Sequence, residues 1–553
     1  MEKKVMITCD GLSDNEVIVG TTLKEISEKV KDNFKYDILL AKIDNDLAEL
    51  ADTVTRNCDV EFYDRSSTLG RYIYISSATF MLVVAVKNVL GPDAKVITKH
   101  SLDNGVLCQI QGIDINRTIL NQINEEMHRL AKENLLFEKI SVSRIDAIKY
   151  FKNKKQLDKV NVLKYISNTY VNLYKLDNCY NYFYSKLAYS TGQIDEFETN
   201  YLYANDFVLS VPTLSKPNKM TEYSHHTKVV DAFNRAEEFT SKLGCEYAAD
   251  INRVVSDAKI TDLILLSESY YESQLQRTAD DISSKRDVRL VLLAGPSSSG
   301  KTTTSKKIMN YLKSNGHGVL QISVDNYFKE LKDTPKDENG EYDFECIEAV
   351  DTELLNKHLT DLLAGKEVEF PTYNFLTGKR EYNGNKAKLG ANEIMVIEGI
   401  HAINDQMTFS IEKKLKYKIY ISPLVNIGID SQNYIHTTDV RKLRRIVRDS
   451  KTRGKTAAAT LKMWPSIRKG EEKYIYPYQD DVDTVINSNL CYEIGVLKTY
   501  VEPLLFCVDE NDNVYPEALR LINFLRNFLP IPSDDIPINS VLREFIGGSC
   551  YKD

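Results

Sequence analysis

The stretch "VRLVLLAGPSSSGKTTTSKKIMNYLKSNG", residues 288–316 of a 553-residue chain, decides the fold. Its first part, "VRLVLLAG", is a nearly continuous apolar run, the pattern of a strand covered on both faces in a parallel sheet. Gly295–Thr302 then fits G-x-x-x-x-G-K-[ST], and a helical pattern follows at once. Glycines let the main chain wrap an anion so that successive N–H groups point inward, and the helix start adds its partial positive charge. A chain of this length matches the pattern by chance on the order of 2% of the time, before the strand and helix are required. The loop predicts a nucleotide phosphate site made by Gly295, Ser297, Ser298, Ser299, Gly300, Lys301, Thr302 and Thr303. Lys301 would reach the outer phosphates of ATP, and the Thr302 hydroxyl would ligate Mg2+.

Working outward, "GVLQISVDNYFK" reads as the next strand and ends on Asp325. In such a sheet that is the carboxyl edge, where ligands of open α/β sheets bind, and an acid there can take a proton from an attacking hydroxyl. "EIMVIEGI" (393–400) delivers Glu398 to the same edge, a placement suited to Mg2+. "DVRKLRRIVRDSKTRGK" gathers Arg441, Arg444 or Arg445, and Arg448 on one helical face and runs into Arg453-Gly454-Lys455. A lid closing over transferring phosphates needs such guanidiniums and a hinge.

The whole chain has net charge −8 and 27% charged residues, so its overall field does not draw it to nucleic acid or an anionic membrane. Its length implies several domains. "MEKKVMITCDGLSDNE" turns polar before a signal-like stretch forms, and the longest apolar run, "ATFMLVVAV" (78–86), is too short to span a bilayer, so a cytoplasmic protein is expected. Nine scattered cysteines without a C-x-x-C spacing read as buried free thiols.

Residues 1–62 read as a β-grasp module, with strands "KVMITC" and "EVIVG" and a helix capped by Thr21 or Thr22, with Glu25 in its first turn. Residues 63–225 alternate helix and strand, including "SSATFMLVVAVKNVL" stopped by Gly91-Pro92 and a hairpin turning at Asn104-Gly105. Residues 226–286 read as a helical connector, 287–500 as the doubly wound α/β domain and 501–553 as a C-terminal extension. His225 and His226 have no ligand-type neighbours at metal spacing and read as surface residues.

The segment from about 288 to 490 resembles the uridine kinase and phosphoribulokinase family. "SVDNYFK" is similar to its strand-end motif, which implies Asp325 as general base with Tyr327 beside it. "YDFECIEAVDTELL" resembles the ribose-binding segment N-F-D-H-P-x-A-F-D and puts Glu345 at the ribose position. "FPTYNFLTGKR" is similar to the nucleobase segment P-x-Y-D-F-x-x-H-x-R and gives Tyr373 and Phe375, with Gly378 where the family has a base-contacting histidine. "RRIVRDSKTRGK" resembles the R-R-x-x-R-D-x-x-x-R-G-R lid and implies roles for Arg445, Arg448, Arg453 and Lys455, with Arg448 and Arg453 catalytic beside Asp325 and Lys301.

The first half resembles threonyl-tRNA synthetases: residues 1–62 their TGS module, and 63–225 their α+β editing domain. The editing H-x-x-x-H pair falls on Ile75 and Thr79, and the later cysteine and histidine on Val211 and Ser215, so hydrolysis by that route is not expected. The resemblances together imply an ATP- and Mg2+-dependent kinase acting on the 5′-hydroxyl of a nucleoside, without membrane association and expected as a homo-oligomer. A sugar-phosphate kinase with an anion pocket near Lys379 or Arg380 is the alternative. An RNA-binding regulator with an ATP switch ranks lower.

Overall fold

The computed structural model describes residues 3–551 except 14, 103–104, 204, 221–225, 337–339, 341, 345 and 375–376. The segment Leu290–Ala294 is a strand buried along its whole length, as its apolar run requires. It is the centre of a five-stranded, wholly parallel sheet in the spatial order Gly318–Ser323, Glu393–Glu398, Leu290–Ala294, Lys416–Ser422, Thr484–Asn487. Chain order reverses beside the central strand, which opens a crevice at the carboxyl edge. The helix Lys301–Ser314 leaves the loop there, and Gly300 at φ 87° and Ser298 at φ 60° turn the main chain into it.

The charged helices predicted for 226–286 are present as Thr227–Lys242, Ala248–Ser256 and Ile260–Ser284. The last is no free-standing connector. Leu263, Ile264, Leu275 and Ile282 join the core formed by Ile308, Leu312, Tyr417 and Leu497, and the Tyr271 and Thr304 hydroxyls hydrogen-bond. His226 is likewise tied down, through Asp480; His225 lies outside the described residues.

Residues 3–64 form a five-stranded sheet in the order Glu16–Ile18, Lys4–Thr8, Cys58–Asp64, Ile38–Ile43, Asp46–Ala48. Lys4–Thr8 pairs in parallel with Cys58–Asp64, and the other neighbours are antiparallel. The helix Leu23–Val30 packs on it with Thr22 as N-cap, and Glu25 accepts the Thr22 N–H in return. Beyond it the helix Thr68–Leu90 starts eight residues before the predicted segment, which began at Ser76, and ends at Gly91 as expected. It is long and apolar enough to cross a membrane by length and composition, which the shorter apolar run did not disclose, yet 72% of that window is buried inside the protein. Phe80, Met81 and Val84 pack with Val96, Cys108, Phe207 and Leu209.

The hairpin strands Val96–Leu102 and Gly105–Ile110 form; Asn104 in their turn lies outside the described residues. Ile75, Thr79 and Val211 are core residues and Ser215 is exposed. All nine cysteines are free; seven are buried as expected, while Cys507 and Cys550 are exposed.

A short hairpin, Gly428–Tyr434, joins the halves. Ser431 accepts the Thr98 N–H at 2.8 Å, Gln432 donates to the Val96 carbonyl at 2.8 Å, and Lys159 pairs with Asp430 at 3.1 Å, both fully buried.

Candidate functional site

The loop Gly295–Gly300 is buried throughout. A Cβ on Gly295 would stand 2.0 Å from the Ile421 carbonyl, so the loop's first position is restricted to glycine by close approach to the adjacent strand. Lys301 folds back over the loop and donates to the carbonyls of Gly295 and Pro296 at 3.0 and 3.2 Å. Burial lowers its ammonium, while Glu398, Glu544 and Asp325 act in the opposite direction. Thr302 Oγ1 donates to Glu398 Oε1 at 3.3 Å, and Glu398 Oε2 is buried without a hydrogen-bond partner among the described residues. Burial pushes the Glu398 carboxyl up to about 7; Lys301 opposes this, and Glu544 and Asp325 add to it.

Asp325 stands two residues past the strand end at Ser323, in the single turn Val324–Tyr327. Its carboxylate reaches solvent but lies deep in the crevice, where desolvation raises it and Lys301 and Arg453 pull it down. Two acids and a lysine distant in sequence therefore share one field at the sheet's carboxyl edge.

Two features fit the groups such a site would take. The Glu398 oxygen left without a partner, beside the Thr302 hydroxyl, is a hard-oxygen set of the kind Mg2+ prefers. Ser298 and Ser299 of the loop carry hydroxyls without a partner among the described residues, above a helix start, which suits nucleotide phosphates.

The arginine helix, Thr437–Thr452, differs from the expected lid. Arg441, Arg444 and Arg445 are buried and grip the loop from beneath. Arg441 donates to the Ser297 carbonyl at 2.9 Å and pairs with Glu471, which also accepts the Ser297 N–H at 3.0 Å. Arg444 meets Glu493 at 2.7 Å and the Ser488 and Ser298 carbonyls at 2.8 and 3.4 Å. Arg445 donates to the Ser297 hydroxyl. A buried cation needs a buried anion, so these three are loop supports and their half of the helix cannot swing as a lid.

Arg448 and Arg453 remain toward the crevice, within electrostatic reach of Lys301 and Asp325 respectively. Asp449 collects them: its fully buried carboxylate accepts Arg448 at 2.9 and 3.0 Å and lies 3.3 Å from Arg445 and 3.7 Å from Arg453. Asp449 lies within the arginine motif, and its spacing of four from both Arg445 and Arg453 is the signal in the sequence that marks it. Lys455 turns aside, with Nζ 3.2 Å from Met463 Sδ.

On the acceptor side the structure separates neighbours. Tyr327, expected beside Asp325, is 1% exposed and directs its hydroxyl to His358 Nδ1 at 3.0 Å, because the single turn rotates it into the core. Tyr373 is buried edge-to-face against Phe328 with centroids 5.7 Å apart. Glu345 and Phe375 lie outside the described residues. Gly378, at φ 65°, disfavours a larger residue: its backbone is left-handed, and a Cβ would stand 2.1 Å from Leu331 Cδ1, so that side chain would have to move. Arg380 pairs with Asp351 at 2.8 Å, so the cation expected to hold a second phosphate is already neutralised.

Residues 290–494 match the Phosphoribulokinase / Uridine kinase family. The uridine kinase of Staphylococcus aureus strain JH9 is 30% identical over 198 residues, covering 36% of this chain and 86% of that protein. The uridine kinase of strain Newman gives the same values. A solved structure described as a possible uridine kinase from Bacillus stearothermophilus shares 18% identity over 38% of this chain and 99% of its own, with a TM-score of 0.24.

Proposed function

Because the chain belongs, through residues 290–494, to the phosphoribulokinase and uridine kinase family, we propose that it phosphorylates the 5′-hydroxyl of a nucleoside of the uridine or cytidine type, using ATP. The observation that supports this most is the convergence of Lys301, Glu398, Thr302 and Asp325 at one sheet edge. Gly295–Thr303 would hold the donor phosphates through main-chain N–H groups and Lys301. Thr302 and Glu398 would hold Mg2+, which when bound supplies neutralising charge to the phosphates. Asp325 would accept the proton of the attacking hydroxyl, its raised basicity suiting that task. Arg448 and Arg453, steadied by Asp449, would neutralise charge at the crevice mouth. Acceptor binding is assigned to Glu345, Tyr373 and Phe375, with Arg445 acting indirectly through Ser297.

The sugar-phosphate alternative loses support from the Arg380–Asp351 pair. Residues 1–62 and 63–225 are proposed as TGS-like and editing-like modules; the parallel pairing at the centre of the first sheet supports the former reading. The core character of Ile75, Thr79 and Val211 supports an editing scaffold without its hydrolytic groups. A cytoplasmic homo-oligomer completes the proposal.

The test is a panel of nucleosides and sugar phosphates with purified protein, ATP and Mg2+, read by product mass. Nucleoside monophosphate formation that disappears in Lys301→Ala is expected. Phosphorylation of ribulose 5-phosphate without any nucleoside product would refute the acceptor assignment.

A further inference from the structure

The loop that should receive donor phosphates is covered, and what covers part of it comes from far along the chain. The family match ends at residue 494, yet the segment Val541–Ile546 lies across the start of the loop helix. Val541 presses on Gly300, where its Cγ2 would stand 2.5 Å from an added Cβ. The Thr303 N–H donates to Glu544 Oε2 at 3.0 Å. Phe545 stacks on the Arg444 guanidinium at 4.9 Å, and Lys451 donates to the Ile546 carbonyl. Val541, Leu542, Phe545 and Ile546 are buried, so the strap is seated rather than draped.

Thr303 is the residue after the lysine–threonine pair, and its amide is one of the helix-end donors that an inner nucleotide phosphate would use. A carboxylate there satisfies the same N–H and the same helix dipole. It also adds a third negative group to the two at Asp325 and Glu398, all acting on Lys301. A polyphosphate cannot share the N–H with Glu544, and its charge opposes that carboxylate at contact distance. The strap's helical turn is closed by Gly547 and Gly548, both with positive φ (88° and 78°).

We propose that the C-terminal strap Val541–Ile546 gates the donor site: the Glu544 carboxylate occupies the helix-end amide that a donor phosphate requires, and nucleotide binding displaces it. This rests on the donor-site reading above. A strap closed in about nine molecules of ten lowers the apparent nucleotide affinity about tenfold.

Two measurements on the full chain test the gate. Without nucleotide, amide exchange at Thr303 should quicken about tenfold in Glu544→Ala; unchanged protection overturns the contact. With ATP and Mg2+, titration calorimetry should show Glu544→Gln, which keeps the shape and removes the charge, binding about tenfold more tightly than wild type. Equal or weaker binding by Glu544→Gln overturns the gate alone. If neither wild type nor variant binds ATP while Lys301→Ala behaves identically, the donor-site reading falls and the gate with it.

Discussion

Glu398 offers a test that needs no substrate. Its carboxyl moves from an ordinary 4.5 to about 7 chiefly because it is desolvated; Lys301 opposes the shift, and Glu544 and Asp325 add to it. The gap between 4.5 and about 7, at about 1.36 kcal/mol per pH unit, corresponds to about 3 kcal/mol. The folded protein prefers the neutral form, so this stabilisation is fully present below pH 4.5 and is lost as pH rises through about 7. Glu398→Gln keeps an oxygen for the Thr302 hydroxyl and cannot ionise. In metal-free buffer the wild type should lose about 2–3 kcal/mol more unfolding free energy between pH 5 and pH 8 than the glutamine variant. Denaturant unfolding at matched ionic strength reads this difference. Mg2+ added at pH 8 should restore stability to the wild type and leave Glu398→Gln unchanged. Parallel pH profiles for the two proteins would refute the account of the crevice as a desolvated, acid-rich site.

Asp325→Asn should lower kcat about 10²–10⁴-fold with ATP affinity by calorimetry nearly unchanged; retained turnover removes it as the base. Arg444→Met leaves Glu493 buried and unpaired and should cost about 3–5 kcal/mol in denaturant unfolding, most of it regained in Arg444→Met with Glu493→Leu. Asp449→Asn should cut kcat more than about tenfold with little change in KM for the nucleoside. An equal loss in Asp449→Ala and Asp449→Asn is expected, since either loses the charge that gathers the arginines.

The donor loop was readable because its chemistry is local: strand, glycines, lysine and helix follow one another within a few turns of chain. Asp325 and Glu398 were readable for a related reason, since a strand end in a parallel sheet has one address. Tyr327 was misplaced because adjacency in sequence says nothing of which way a single turn rotates a side chain. The arginine run announced charge but not burial; that depends on Glu471 and Glu493, which only the folded chain brings to Arg441 and Arg444. Glu544 gave no sign at all, since nothing near it in sequence resembles a nucleotide site.

The hairpin Gly428–Tyr434 bears on whether the kinase portion could ever be used alone. It emerges just before the arginine helix, and its Asp430 finds its only cation on Lys159, across the divide between the halves, among the described residues. Excising residues 1–225 would leave that carboxylate stranded in a site shaped for an ion pair, adjacent to the element that grips the nucleotide loop. Each half thus supplies part of the packing that the other depends on.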